Sequence, residues 1–189
     1  MPVCMSDARL VADLTDLTAT AYVGLGSNMG DSAGHLAAAR EALAVLPGVT
    51  AARFSAVYRT EPQGLKEQPF FLNQVGELLC SSALTPEGLL DALLATEAAL
   101  GRERAGETRF GPRVIDLDLL LFANVRMTML QLSLPHPRML DRAFVLLPLA
   151  ELAPELRLPQ GMTVREALCG VRHRLEDGVI FQESRMYML

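Results

Sequence analysis

The segment Arg109-Phe-Gly-Pro-Arg-Val-Ile-Asp-Leu-Asp-Leu-Leu-Leu-Phe122 combines an apolar run with charges that such a run does not ordinarily bury. From Val114 to Phe122 the residues are mostly β-branched or leucine, with no Gly or Pro, which predicts an inner β-strand. Asp116 and Asp118 interrupt it. Side chains i and i+2 of a strand share a face, so the two carboxylates stand together, about 7 Å apart along the strand. Two like charges that close are costly to bury unless a cation lies between them. Hard oxygen ligands of this kind suit Mg²⁺, which takes one or two protein carboxylates along with waters and substrate phosphates. Arg109 and Arg113, just upstream, carry guanidinium forks that match phosphate oxygens. Carboxylates for a metal beside arginines for phosphate have the composition of a phosphoryl-transfer site. The plainer alternative is one Asp ending the strand in solvent while the other pairs with Arg113.

The bulk properties narrow the setting. A chain of 189 residues, half of them hydrophobic and with positive mean hydropathy, can bury a sizeable core as one domain and is not disordered by composition. No apolar run is long enough to span a bilayer, and no basic region precedes an apolar core at the N-terminus, so a membrane partner and a secretory leader are not expected. Cys4, Cys80 and Cys169 are far apart, odd in number and without metal spacing, which predicts reduced thiols in a cytoplasmic protein. A net charge of -5 disfavours nonspecific nucleic-acid binding. Lys66 is the only lysine, so sixteen of the 17 basic residues are arginine; four of them, Arg102, Arg104, Arg109 and Arg113, fall in one short segment.

Outward from the aspartates, the periodicities predict the remaining elements. Residues 1–20 form an extension and 21–189 a single domain. Ala21 to Gly26 reads as a first strand entering the turn Ser27-Asn-Met-Gly-Asp31; Gly24, Gly26 and Gly30 match neither the Walker nor the dinucleotide fingerprint and read as a glycine-assisted strand-to-helix turn. A helix over 33–46, capped by Asp31 or Ser32, carries Leu36, Ala39, Leu43 and Leu46 inward. Strands over 49–58 and 70–80 flank a long polar loop. Thr85-Pro86-Glu87 opens a helix with Leu89, Leu90, Leu93, Leu94, Glu97 and Leu100 on its buried stripe, and Gly101 ends it. Glu97 on that stripe is either an ion-pair partner of Arg102 or Arg104 or a hydrogen-bond acceptor facing ligand. The segment 102–113 is a basic, glycine-rich loop. His136, held between two prolines, is either structural or a positioned ligand group. A helix over 139–150 with Phe144, Leu147 and Leu149 inward follows. Thr163-Val-Arg-Glu166 is a capping box opening a helix to about 175, and 178–182 is a short final strand. The order strand, helix, strand, strand, helix, strand predicts an α+β fold: a ferredoxin-like two-layer sandwich, βαββαβ plus C-terminal helices, with helices on one face of an antiparallel sheet. The other face is left to hold a ligand. The last 30 residues carry no chemical signal.

Gly24-Leu-Gly-Ser-Asn28, Tyr58-Arg-Thr60, Gln68-Pro-Phe-Phe-Leu-Asn73, Gly111-Pro-Arg-Val-Ile-Asp-Leu-Asp118 and Leu134-Pro-His-Pro137, with Arg142 and Phe144, occur here in an order and spacing that closely resemble the 6-hydroxymethyl-7,8-dihydropterin pyrophosphokinases of folate biosynthesis. The resemblance covers about residues 21–160. It implies a ferredoxin-like fold and transfer of pyrophosphate from ATP to the hydroxymethyl group of the pterin, releasing AMP. It implies two Mg²⁺ ions on Asp116 and Asp118, and a catalytic set of Arg102, Arg113, Asp116 and Asp118. ATP would be held by Glu97, Arg102, Arg104, Arg113, Leu119, His136 and Arg142. The pterin would be held by Thr60, Glu61, Pro62, Phe71, Asn73, Asp116 and Phe144, with the two phenylalanines as stacking surfaces. A monomer is expected.

The sequence departs from the family at Phe71, Phe110, Gln131 and Pro137, which leaves the exact nucleotide contacts open. Loops 61–68 and 102–113 are expected to close over ATP and exclude water. Phe71 and Phe144 could instead be ordinary core. Two other functions fit the same elements: a noncatalytic ferredoxin-like module binding a small metabolite, and a transferase with another acceptor.

Overall fold

The computed structural model describes residues 18–63, 65–104 and 110–182. Cys4, Arg109 and residues 1–17 of the expected extension lie outside the described residues. The elements are β1 (Ala19–Ser27), α1 (Ser32–Ala44), β2 (Val49–Phe54), β3 (Tyr58–Thr60), β4 (Phe71–Cys80), α2 (Pro86–Ala99), β5 (Asp116–Phe122), β6 (Met127–Thr128), β7 (Ser133–Leu134), a 3-10 turn (Met139–Asp141), α3 (Ala143–Leu152), α4 (Val164–Cys169), β8 (His173–Glu176) and β9 (Val179–Gln182).

β1 lies between β4 and β5, antiparallel to both, and β2 and β3 share the far side of β4. This is the ferredoxin-like sheet expected from the element order. The alternation in β1 shows how the sheet divides the molecule. Ala21, Val23 and Leu25 point to a core closed by Leu36, Ala39 and Leu43 of α1 and Leu89 and Leu93 of α2. Tyr22 points to the opposite core, where Val75, Leu120 and Leu121 meet α3 and α4. The sheet's second face is therefore not wholly free, as the sequence had suggested. Where α3 and α4 stop, a strip of β1, β4 and β5 stays open.

Local signals explain the helix ends. Asp31 accepts from the Gly34 amide, and Thr85 accepts from the Gly88 amide, with Pro86 at the first helical position. Gly101 closes α2 at φ +91, a conformation that favours glycine. The Thr163–Glu166 capping box is present.

Three elements differ from the sequence reading, each for a tertiary reason. The expected strand over 49–58 is interrupted after Phe54, because the Ala56 amide donates to Glu151 of α3 and not across the sheet. The expected helix over 139–150 is a 3-10 turn and α3 separated by Arg142, whose extended backbone (φ -121, ψ 106) lets its side chain approach Asp118. Pro148 lies inside α3 without ending it. The helix expected to reach about 175 stops at Cys169. The chain then forms the β8–β9 hairpin around Asp177-Gly178, both at positive φ, and β9 pairs in parallel with β3. Asp-Gly between two short strands is a two-residue hairpin signal, and it was readable in the sequence.

Candidate active site

β5 builds the centre of the open strip. Ile115, Leu117 and Leu119 are buried toward α1 and α2, which turns Asp116 and Asp118 to the other face together. Opposite them in β1 stand Gly26 and Gly24. These glycines form the floor of the strip. A methyl group at Gly26 would stand 2.9 Å from Asn73 Oδ1, so glycine here is a matter of room.

Arginines hold the first carboxylate. Arg102 Nη1 donates to Asp116 Oδ1 at 2.6 Å, and Arg113 Nη1 donates to Asp116 Oδ2 at 2.8 Å. Arg102 also donates to Glu97 Oε1 at 2.6 Å, and Arg104 donates to Glu97 Oε2. Glu97 Oε1 further accepts the Leu117 amide at 2.7 Å. Glu97 is thus enclosed, 1% exposed, beneath the arginines, and lines neither cavity described below. The ion-pair reading of Glu97 is the one realised. Asp118 is less occupied: Arg142 Nη1 lies 3.6 Å and His136 Nε2 4.0 Å from its Oδ2.

The two aspartates are tuned apart. Burial would raise the Asp116 carboxyl, but the charges of Arg113 and Arg102 outweigh it and hold it below the usual range. Asp118 is pushed up to about 6, first by burial and then by the charge on Asp116, with Arg142 opposing. His136 is pulled down to about 4 by burial and then by Arg142 and Arg138, so it is neutral near pH 7. Its Nδ1 accepts the Arg138 amide at 3.3 Å, which leaves the proton on Nε2, facing Asp118.

Two cavities meet at Asp118 and Arg104, which line both. The larger, about 670 Å³, is bordered by Thr60, Glu61, Phe71, Asn73, Arg142 and Phe144. Asn73 Nδ2 donates to Thr60 Oγ1 at 2.6 Å, which leaves the amide oxygen available. The smaller, about 560 Å³, is bordered by Leu90, Leu94, Leu119, Leu132, Ser133 and His136. Of the residues singled out in the sequence, Pro62 is buried and borders neither cavity.

Several bordering residues escaped the sequence reading. Gly24 and Gly26 had been taken for turn formers. Leu90 and Leu94 were assigned to the core. Arg138 and Gln182 gave no signal at all, although Gln182 belongs to the hairpin that Asp177-Gly178 announces.

A same-face carboxylate pair ringed by arginines, at the junction of two cavities on a ferredoxin-like sheet, defines a class: enzymes that handle a polyphosphate beside an organic acceptor. The model of the 7,8-dihydro-6-hydroxymethylpterin-pyrophosphokinase (HPPK) family matches residues 22–154. The chain is 51% identical over 148 residues to the 2-amino-4-hydroxy-6-hydroxymethyldihydropteridine pyrophosphokinase of Methylorubrum extorquens, covering 78% of this chain and 90% of that protein. It is 44% identical over 147 residues to the protein of the same name from Pseudomonas aeruginosa, covering 78% and 88%. Among solved structures, the HPPK-DHPS of Plasmodium falciparum, determined with pteroate, superimposes with a TM-score of 0.63 at 14% identity, over 88% of this chain and 48% of that one. The chain spans about half the length of that solved protein, and at this identity the likeness concerns the fold alone.

The chain belongs to the 7,8-dihydro-6-hydroxymethylpterin-pyrophosphokinase family, and its activity is that of an ATP-dependent pyrophosphokinase in folate biosynthesis.

Proposed function

We propose that the two cavities hold the two substrates and that the aspartates mark the line of transfer between them. In this reading the larger cavity takes 6-hydroxymethyl-7,8-dihydropterin, with Phe71 and Phe144 against its faces and Asn73, Thr60 and the 60–62 backbone at its edge. The smaller takes the base of ATP against Leu119, with His136 alongside. The triphosphate crosses at Arg104 and Asp118, held by Arg102, Arg113 and Arg142. The observation that carries this is that Asp118 and Arg104 border both cavities while Asp116 faces the larger.

The donor set suits a divalent cation. Asp118 is pushed up to about 6 by burial and then by the charge of Asp116, and a hard cation between them would relieve both costs. Asp116 and Asp118 would hold Mg²⁺, two ions in this reading, which when bound neutralises phosphate charge and orients the reacting oxygens. The hydroxymethyl oxygen forms a bond to the β-phosphorus as the bond from that phosphorus to the α-phosphate oxygen breaks. AMP leaves, and the proton released from the hydroxyl passes to solvent. Asp116 accepts a hydrogen bond from the hydroxymethyl group, and the arginines stabilise charge as it develops.

Loops 61–68 and 102–113, of which residues 64 and 105–109 lie outside the described residues, are expected to close over the nucleotide and limit hydrolysis. Gln68 Nε2, which donates to the Phe110 carbonyl at 2.8 Å, already links them.

The test is Mg²⁺-dependent AMP formation from ATP with the pterin present. Asp116→Asn and Asp118→Asn are each expected to lower kcat on the order of a hundredfold or more. Unchanged turnover in both variants would remove the carboxylates from the reaction.

A further inference from the structure

Gln182, the last residue of β9, lies outside the span matched by the family model and outside every motif that suggested the function. It nevertheless borders the larger cavity and binds both of its walls. On one wall, the Gln182 amide N–H donates to Glu61 Oε1 at 3.2 Å, just beyond β3. On the other, its side-chain Oε1 accepts the Ala143 amide at 2.7 Å, and its Nε2 donates to the Asp141 carbonyl at 2.6 Å.

The second wall needs such a partner. α3 begins at Ala143, and its N-cap residue, Arg142, provides no side-chain cap. An uncapped first turn leaves amide donors unsatisfied. Gln182 supplies the missing acceptor from a distant part of the chain. In doing so it fixes the junction that carries Arg142 on one side and Phe144 on the other.

We infer that Gln182 is a positioning residue for the acceptor substrate: it ties the Thr60–Glu61 wall to the start of α3 and so sets the gap between Phe71 and Phe144. An aromatic ring between those side chains needs both at stacking distance at once, and a small loosening of either wall forfeits one contact. The nucleotide meets this junction only through Arg142, one of several arginines on the triphosphate, and the smaller cavity has no contribution from Gln182, so nucleotide binding loses less than pterin binding. The inference rests on the assignment of the larger cavity to the pterin.

The test compares Gln182→Met, similar in length but without either amide bond, with Gln182→Glu, which keeps the acceptor for Ala143. Affinity for fluorescent 6-hydroxymethylpterin is measured in the presence of Mg²⁺ and a nonhydrolysable ATP analogue. Affinity for the analogue is measured separately, together with KM for each substrate. Gln182→Met is expected to weaken pterin binding about tenfold, with pterin KM following, and to change nucleotide affinity by less than about twofold. Gln182→Glu is expected to fall between it and the wild type. Pterin affinity equal to wild type in the variants, or equal losses for pterin and nucleotide, would overturn the inference. If Gln182→Met does not fold, the pterin-selective loss in Gln182→Glu decides. A wild-type protein that binds the nucleotide but not the pterin defeats the assignment of the cavity, and this inference with it.

Discussion

Asp116 and Asp118 share a strand face, yet their surroundings give them opposite tendencies. Two arginines complete the first, while the second retains a charge problem that burial and its neighbour create. The consequence for stability has a definite sign. Asp118 titrates near 3.9 when unfolded and near 6 when folded, so it favours the folded state fully below about pH 4 and loses that contribution as pH rises through about 6. His136, neutral in the fold and pulled down to about 4, works the other way: its contribution is lost as pH falls from about 6.5 through 4. The two oppose each other in wild-type protein without ligands, so the variant separates them. Asp118→Asn is expected to gain stability relative to wild type between pH 4 and 7, by urea titration at each pH. A difference that stays flat across that range would show that Asp118 is not raised.

Glu97 illustrates how one buried group joins elements. It lies in the last turn of α2, but its oxygens bind the Leu117 amide of β5 and the guanidinium groups of Arg102 and Arg104 in the following loop. The helix, the strand and the basic loop are thereby fixed to one another under the aspartates. Breaking a buried pair leaves charges without compensation, at a cost of about 3–5 kcal/mol. Glu97→Ala is therefore expected to lower unfolding stability by about that amount and to reduce turnover, because Arg102 and Arg104 lose their anchor. A loss under about 1 kcal/mol would mean that water or other groups replace it. The sequence placed Glu97 correctly on the inward stripe and left its partner open, since helical periodicity gives the face but not what that face meets.

At the scale of the whole molecule, the free protein carries a like-charge pair that its ligands would complete. Mg²⁺ with a nonhydrolysable ATP analogue at a hundred times its dissociation constant is expected to stabilise the fold by about 2.7 kcal/mol, visible as a higher unfolding temperature. Removing the metal with EDTA should abolish most of that shift; a shift unaffected by EDTA would separate nucleotide binding from the metal.

The sheet and its first two helices follow from local pattern: period-2 strands, capped amphipathic helices, and the Asp116–Asp118 alternation that turns two carboxylates to one side. Those features depend only on neighbours along the chain, so the sequence by itself determined them. It also determined the family, through motifs spread over the chain. What it did not contain was the covering of the second face by α3 and α4, the break at Arg142, the floor made by Gly24 and Gly26, and the reach of Gln182 across the cavity. Each depends on which residues meet after the sheet has formed, among segments up to 121 positions apart, as Glu61 and Gln182 are. Hydrogen bonds and packing between such distant segments leave no periodic trace, so only the tertiary structure could decide them.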